Sequence, residues 1–510
     1  MTKHERHPRW LFPVTGLLLL LLLAGVWGFE YLPLTDLPEQ ALAAKVLVDF
    51  DNPAFCYAEF FTIEPPWKPY SATFFWCAQL TSPLLTPLES AKFYLSLALV
   101  LTIVAGGLWL RTAAPGQMAQ LVPATILLYS SFFFVGLLNT LFAVPFFFLA
   151  LCAAHSILEE ERVTKWVDLG LAGCLLLIYF SHITVFGATL FVLGALWLFS
   201  SRRRRWWRLA LAAVPTVALT TAYFALTKSQ KVGSLLNFSY DPFPLRASSL
   251  LVPLNIVYDR VNHVWVYEPE QLVVAVLLLL WMTWGLRYSK RTRSARSRRG
   301  ATIVALALLA ATLGLPSLIG GALSIGIRLG YLATLVIVLL LPAGWSRKRG
   351  LVAGMIVTAL AMPLAFAYHC RLFQEEMQSL ESVVDRIPPC RTVLPVLTEL
   401  NGGGLHNYAH LHAADWYCYW KGGTNPYTIT RFPYFPVQTR CKFFPRAPGE
   451  WKMKTFEFEK NAEGAEFFLV RTREPAILKD LGGHVPLLAE RAGWRAYGPN
   501  PGGRIHCPND

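Results

Sequence analysis

The sequence predicts a polytopic α-helical membrane protein with about 11 transmembrane helices and a small C-terminal extracytoplasmic α/β domain. Hydrophobic residues make up 54% of the 510 residues and charged residues only 15%, which is atypical of a soluble domain. Apolar runs recur from Leu11 to Tyr368 and then stop. Each is roughly 17 to 20 residues long, the length that a helix needs to cross a bilayer.

Clusters of basic residues between the apolar runs set the predicted orientation. One cluster precedes the first run, and three others lie at 202–208, 287–299 and 347–349. Because cytoplasmic loops are enriched in Lys and Arg, we expect the N-terminus inside and the C-terminal domain outside. The predicted spans are 11–29, 90–110, 119–136, 139–158, 166–181, 183–199, 209–226, 271–286, 301–319, 329–345 and 351–368.

Two domains follow from this arrangement. Residues 1–368 form the predicted transmembrane domain, with large outer loops at 30–89 and 227–270. Residues 369–510, called the tail below, alternate short helical and strand patterns, which predicts an α/β domain of unknown strand order. No small-residue cleavage site follows the first span, so it is expected to be an uncleaved signal anchor.

The charge distribution and the cysteine positions narrow the class of protein further. The formal net charge of +14 does not indicate nucleic-acid binding, because the basic residues lie in short clusters between apolar runs. Seven of the nine cysteines fall on the predicted outer side, where disulfides persist. Cys56 and Cys77 share the first outer loop, so we expect these two to be paired.

Four acids in the first outer loop are candidates for chemistry. Asp36 and Glu39 match a capping box at the start of a predicted helix at 37–50, and Asp49 and Asp51 lie near its end. Alternatively, a carboxylate at the outer membrane surface can act as a general base. Displacement of a phosphate leaving group needs only one such acid, so the second acid of a glycosidase pair is optional. Both interpretations remain open.

The first loop also carries a resemblance to a known family. Asp36 and Glu39 follow the first span directly, and EPPWKPYSATFFW, which contains a second predicted helix at 69–81, leads into LESAKFYLSLALVLTIV. This arrangement resembles the GT-C superfamily of integral-membrane glycosyltransferases, especially bacterial aminoarabinose transferases and protein mannosyltransferases. The family often has two adjacent acids at this position, whereas in this chain two residues separate Asp36 from Glu39.

The resemblance implies a GT-C-like catalytic domain in the inner membrane of a bacterium, with a periplasmic tail. It implies an inverting transfer of a sugar from a polyprenyl-phosphate or polyprenyl-diphosphate carrier to an extracytoplasmic glycan, lipid or protein. It also implies a first-loop carboxylate as the general base, which assigns that role to Asp36 first and to Glu39 second.

Cationic groups are expected to bind the donor phosphate. Arg328 is the first candidate because it lies at the outer end of a predicted span, although its side chain can instead snorkel to lipid headgroups. Lys68, His182 and Arg260 are weaker candidates. A divalent cation is compatible with the sequence, but none is required by it.

The tail segment LHNYAHLHAADWYCYW holds three histidines and Asp415 among aromatic residues. His410, His412 and Trp416, together with Asp49 and Asp51, are the weak candidates for acceptor binding. Packing of a small aromatic core is the alternative. No metal site is predicted, because no second ligand set at a suitable spacing accompanies the histidines.

Two other functions are alternatives to a glycosyltransferase. A transporter or lipid flippase normally carries ionisable residues or broken helices at the bilayer midplane, and the predicted spans contain almost none. In a non-catalytic structural membrane component, the first-loop acids would be helix caps only. The sequence therefore favours the glycosyltransferase.

Overall fold

The structure is a computed structural model of the chain. It describes residues 8–503 except 65–71, 161–162, 201, 227–237, 255, 260–263, 268, 288–294, 317, 320–324, 429–434 and 441–442. Much of the second predicted outer loop and part of the basic cluster at 287–299 therefore lie outside the described residues.

Helices dominate the part of the chain before the tail. The α-helices are Leu11–Trp27, Leu37–Val48, Tyr57–Phe60, Ala72–Thr81, Pro87–Ala113, Leu121–Leu127, Ser131–Val135, Leu138–Glu159, Lys165–Ser181, Ile183–Phe199, Trp206–Leu226, Phe243–Ser248, Pro269–Arg287, Ala295–Gly314, Ile325–Leu340 and Arg349–Val384. Short 3₁₀ helices lie at Pro115–Gln120, Arg203–Arg205, Val252–Leu254 and Gly344–Arg347. Short strands lie at Phe61–Ile63, Phe238–Ser239, Ile256–Asp259, Val264–Tyr267 and Leu318–Ile319.

Three helices of the described residues are by length and composition able to cross a membrane: Pro87–Ala113, Leu138–Glu159 and Arg349–Val384. Shorter apolar segments include Leu11–Trp27, Ile183–Phe199, Leu272–Trp281, Arg299–Gly314 and Ile325–Leu340. The protein is thus mostly helical and apolar, as predicted, and the count of eleven crossings remains a prediction.

The predicted span 119–136 is wrong as a single helix. The chain there forms the helices Leu121–Leu127 and Ser131–Val135, separated by an extended Ser130 and ended by Gly136 in the left-handed region at φ +79°. Most of this segment is buried inside the protein. Irregular backbone is tolerated at membrane depth only where protein covers it, and here its carbonyl groups bind the first outer loop, as described below.

Aromatic packing joins two of the long helices. Tyr94 of Pro87–Ala113 stacks on Phe142 of Leu138–Glu159 with ring centroids 4.1 Å apart, and Trp109 packs against Phe148 at 5.5 Å. The helix Pro87–Ala113 begins with a capping box in which Thr86 and Glu89 bind each other's backbone N–H groups. The Lys92 ammonium donates to the Phe29 carbonyl just beyond the first helix, where a cation complements the helix dipole.

The tail contains a four-stranded mixed sheet. Its strands lie in the order Val393–Leu397, Phe467–Arg471, Trp494–Tyr497 and Leu487–Arg491; the first two are parallel and the other neighbours antiparallel. The tail also contains the strand Val437–Thr439, the helices Ala413–Lys421, Phe458–Asn461 and Pro475–His484, and the 3₁₀ helix Glu450–Thr455. The predicted tail strands and helices are therefore present. The helix Arg349–Val384 runs through the predicted domain boundary at 368, and the division into two domains remains a prediction.

The first outer loop is joined to the tail by several kinds of contact. Phe61–Ile63 pairs antiparallel with Val437–Thr439, and the Tyr57 hydroxyl donates to the Cys418 carbonyl. A disulfide joins Cys56 to Cys390 with a Cα–Cα distance of 5.7 Å. The expected pair of Cys56 with Cys77 is therefore wrong, because the loop folds Cys56 against the tail and leaves Cys77 as a free thiol on the helix Ala72–Thr81.

We predict that Cys56→Ser lowers the free energy of unfolding by about 2 to 4 kcal/mol, since it removes the cross-link between the loop and the tail. The measurement is the thermal midpoint of the purified protein, with Cys77→Ser as the matched control expected to change it little. Mass spectrometry of non-reduced peptides should detect the linkage of Cys56 to Cys390. Recovery of a Cys56–Cys77 peptide instead would contradict the fold at this position.

Candidate functional site

The bend Pro33–Leu37, which carries Asp36, is held by the irregular segment at 130–136. The backbone N–H groups of Thr35 and Asp36 donate to the carbonyls of Phe134 and Val135 at 3.0 and 2.9 Å. A β-carbon on Gly136 would lie 3.3 Å from the Asp36 nitrogen. Together with its positive φ, this close approach requires glycine at 136.

The tail segment 401–412, called the tail turn below, holds the same bend from the other side. The Asn407 amide donates to the Pro33 carbonyl, and the Thr35 hydroxyl donates to the Asn407 carbonyl. The tail turn is in turn fixed to the helix Arg349–Val384, because His369 Nδ1 donates to the Gly403 carbonyl at 2.7 Å. The backbone of Asp36 is therefore braced by the membrane helices and by the tail.

Three carboxylates converge on one imidazole at this junction. His412 Nδ1 lies 3.3 Å from Glu39 Oε1 and 3.2 Å from Glu450 Oε1, and His412 Nε2 lies 3.8 Å from Asp36 Oδ1. The side chains of His412, Glu39 and Glu450 are 6, 6 and 8% exposed, whereas that of Asp36 is 22% exposed. Asp36 is thus the member of the cluster that solvent or a ligand can reach.

The predicted capping box at Asp36 and Glu39 is wrong. Asp36 stands at the N-cap of Leu37–Val48, but its side chain makes no capping hydrogen bond. Both carboxylates are turned toward His412 instead, since residues three apart on a helix lie on the same face. The cap explanation of these two acids therefore fails, while their part in an electrostatic cluster is a structural fact.

Burial and mutual repulsion control the charges of the cluster. Burial raises the pKa of Asp36 to about 6, although His412 and Arg328 lower it in part. Burial likewise raises the pKa of Glu39 well above its ordinary value. Burial lowers the pKa of His412, but the carboxylates of Glu39, Glu450 and Asp36 outweigh it and raise that pKa to about 10. His412 is therefore an imidazolium at neutral pH that compensates the acids around it.

Asp36, Glu39 and His412 can also hold a metal ion. One ligand atom of each lies within 4.8 Å of the others, and Glu39 Oε1 and His412 Nδ1 are buried in an ion pair of 3.3 Å. Two carboxylate oxygens and one imidazole nitrogen suit Zn²⁺ or Mn²⁺. The second ligand set, which the sequence around the tail histidines does not contain, comes from the first loop.

Arg328 and His182 lie at the starts of the helices Ile325–Leu340 and Ile183–Phe199. Arg328, in the first turn of Ile325–Leu340, is 7% exposed and acts electrostatically on both Asp36 and His182. His182 Nδ1 accepts from the Thr184 N–H at 3.2 Å as the cap of the next helix. Because Nδ1 accepts, the neutral ring carries its proton on Nε2. The structure thus brings together five predicted site residues: Asp36, Glu39, Arg328, His182 and His412.

The remaining predicted site residues lie elsewhere. Asp49 pairs with Lys45 at 2.9 Å near the end of its helix, and Asp51 is exposed. His410 Nε2 donates to Glu376 at 2.5 Å, and Trp416 packs against Tyr31 in the core. These contacts fit structural roles for Asp49, His410 and Trp416. Lys68 and Arg260 lie outside the described residues.

Glu450 is the cluster member that no sequence pattern indicates. It lies in an APGEWK segment in which nothing distinguishes it from the other acids of the tail. Asp415, whose carboxylate accepts from Asn425 at 2.6 Å, also contributes to the raised pKa of Glu39. Only the fold brings these acids to the first loop.

We predict that added Zn²⁺ or Mn²⁺ competes with the proton of His412 for this cluster, so that the affinity for the ion rises as the pH rises from 6 to 8. The ion must displace the proton of His412, whose pKa is raised to about 10, and metal affinity falls when a ligand is protonated. Calorimetric titration of the purified protein measures this affinity. His412→Gln should lose the binding, and His406→Gln, a change at an exposed histidine, should retain it. Equal affinity at both pH values would contradict the assignment.

Three comparisons with known proteins bear on the fold. No protein-family model and no curated protein matches the sequence. ArnT from Cupriavidus metallidurans bound to undecaprenyl phosphate superposes with a TM-score of 0.54 at 11% identity, covering 96% of this chain and 97% of that one. Its apo state gives 0.54 at 10% identity, with the same coverage.

A mutant of the arabinofuranosyltransferase AftD from Mycobacteria superposes with a TM-score of 0.50 at 13% identity, covering 97% of this chain and 42% of that one. Nearly the whole chain therefore has a fold similar to that of ArnT and to that of part of AftD.

Proposed function

We propose that this protein is an inverting glycosyltransferase of a bacterial inner membrane. It transfers a sugar from a polyprenyl-phosphate or polyprenyl-diphosphate carrier to a hydroxyl group of an extracytoplasmic glycan, lipid or protein. The observation that carries the proposal is the position of Asp36, which is partly exposed, lies 3.8 Å from His412 Nε2 and is acted on electrostatically by the guanidinium of Arg328. The fold shared with ArnT, which was solved with undecaprenyl phosphate, supports a lipid carrier.

Asp36 is the proposed general base. The acceptor oxygen attacks the anomeric carbon, the bond from that carbon to the phosphate oxygen breaks, and the hydroxyl proton passes to Asp36. A pKa of about 6 leaves Asp36 ionised at neutral pH and more basic than an ordinary aspartate. Glu39 is less suited to this role, because its side chain is only 6% exposed.

Arg328 and His182 are the proposed ligands of the leaving phosphate. Negative charge grows on the phosphate as its bond to the sugar breaks, and hydrogen bonds from charged or oriented donors then strengthen. Arg328 supplies a guanidinium, and His182 supplies the Nε2–H that its capping role leaves facing away from Thr184. Glu39 and Glu450 act on Asp36 through His412, which they hold in the charged form.

Asp36→Asn is expected to lower the rate of sugar transfer by about 10²- to 10⁴-fold, because the amide cannot accept the proton. The substrate is identified by mass spectrometry of lipid-linked sugars and envelope glycans from cells that lack the gene. The rate of its consumption is then measured with each variant. Asp49→Asn is the matched control, since Asp49 is a first-loop acid outside the cluster. Full activity of Asp36→Asn would remove Asp36 from the mechanism.

The pH dependence separates a base from a merely structural acid. Protonated Asp36 cannot act as a base, so wild-type kcat/KM should fall as the pH drops through about 6. The residual activity of Asp36→Asn should lack this step. A step of the same size in the variant would assign it to another group.

Arg328→Gln is expected to weaken binding of the carrier phosphate about tenfold or more, because it removes a charge-assisted hydrogen bond of about 1.5 to 3 kcal/mol. The measurement is the rise in thermal midpoint on adding undecaprenyl phosphate to each purified protein. Arg349→Gln, at an exposed arginine on another helix end, is the control. An equal rise in Arg328→Gln and wild type would refute this role for Arg328.

A further inference from the structure

A groove runs along the outside of the membrane helices, away from the site described above. It lies between Ile183–Phe199 and Ala295–Gly314 and has a volume of about 590 Å³. Its lining is wholly apolar: Phe191, Gly194, Ala195, Leu198, Phe199, Ile303, Leu306 and Ala307. Several of the large lining side chains are about half exposed, so the groove is open to the surrounding lipid.

Small residues create the depression. Gly194, Ala195 and Ala307 stand where larger side chains would fill the space between the two helices. A β-carbon added at Gly194 would meet no atom within 4 Å. Small residues in membrane helices often let two helices touch, but here they leave a channel that hydrocarbon can enter.

The groove has a basic end. Arg299 lies one turn before Ile303 on the same face of its helix and is exposed. Arg203 and Arg204, also exposed, follow shortly after Phe199. These three arginines have no acidic partner among the described residues. By contrast, the neighbouring Arg202 and Arg205 donate to carbonyls at the end of Leu138–Glu159.

The length of the groove matches one leaflet. From Phe191 to Phe199 the helix rises about 12 Å, close to half of the roughly 30 Å hydrocarbon thickness. Phe199 lies about 25 Å along the helix from His182, given a rise of about 1.5 Å per residue. The basic end is therefore on the membrane surface opposite the candidate active site. The distribution of Lys and Arg assigns this basic surface to the cytoplasm.

We propose that the groove binds one anionic phospholipid of the cytoplasmic leaflet. An acyl chain lies in the groove, and the headgroup phosphate lies beside the guanidinium groups of Arg203, Arg204 and Arg299. Basic pockets between membrane helices on the cytoplasmic side recognise anionic headgroups in this way. This site is independent of the proposed transferase chemistry.

The test is competition between two lipids with the same acyl chains, palmitoyl-oleoyl phosphatidylglycerol and phosphatidylcholine, for the purified full-length protein. Native mass spectrometry counts the lipids retained. We expect phosphatidylglycerol to be preferred at least about fivefold, the effect of one basic residue near a surface phosphate. Arg299→Gln should reduce the preference, and Arg349→Gln should leave it unchanged. Equal retention of the two lipids by the wild type, or an undiminished preference in Arg299→Gln, would overturn the proposal.

A second pair of variants tests the groove itself. Gly194→Leu places a side chain in the groove, where an added β-carbon meets no atom within 4 Å, and should abolish retention of the phospholipid. Gly187→Leu is the matched control, because Gly187 lies two turns away on the same face and an added β-carbon there also meets nothing within 4 Å. Retention that survives Gly194→Leu would overturn the proposal. Displacement of the phosphatidylglycerol by an equimolar amount of undecaprenyl phosphate would also overturn it and assign the groove to the polyprenyl carrier.

Discussion

The structure around the first outer loop depends on compensation of buried negative charge. Asp36, Glu39 and Glu450 surround His412, and three of the four side chains are less than a tenth exposed. A buried carboxylate without a partner is costly, so the imidazolium or a metal ion is needed to hold the acids together. His412 and Glu450 belong to the tail, whereas Asp36 and Glu39 belong to the first loop. The cluster therefore forms only when the two regions meet.

The backbone around the site reflects the same requirement. Asp36 is held between carbonyls of the irregular segment at 130–136 and the tail turn that Asn407 docks on Pro33. The tail turn is anchored to His369 and Glu376, both on the helix Arg349–Val384. This helix has 36 residues, so at about 1.5 Å each it is far longer than the hydrocarbon is thick. It can therefore fix the tail at a set height above the first loop.

Features that depend on local pattern were predictable from the sequence, and features that depend on long-range contact were not. The apolar helices, the tail strands and the family resemblance follow from periodicity and short motifs. The break in the span 119–136 was missed because its residues are as apolar as those of a helix, and only their contacts with Thr35 and Asp36 explain the irregular backbone. Cys390 was not identified as the partner of Cys56, since connectivity across most of the chain leaves no local signal.

The candidate site divides in the same way. Position beside a predicted span end is visible in the sequence, and it identifies Asp36, Glu39, Arg328 and His182. The sequence does not show that His412, and not His410, belongs to the site. The two histidines are two residues apart, yet one meets the first-loop acids and the other meets Glu376 beside Phe373 and Trp494. Their environments also separate their charges, since burial lowers the pKa of His410 to about 4 while the three acids raise that of His412 to about 10.

Under the proposed function, the exposure of the two first-loop acids assigns them different tasks. Both lie on one helix face and both act on His412, but only Asp36 can meet an acceptor. Transfer of a proton to Asp36 removes one negative charge from the cluster at the moment when the phosphate near Arg328 gains one. Arg328 acts on the Asp36 carboxylate before the reaction, and protonation of Asp36 removes this attraction. A guanidinium that acts on both the base and the phosphate thus couples the two halves of the displacement without a second catalytic acid.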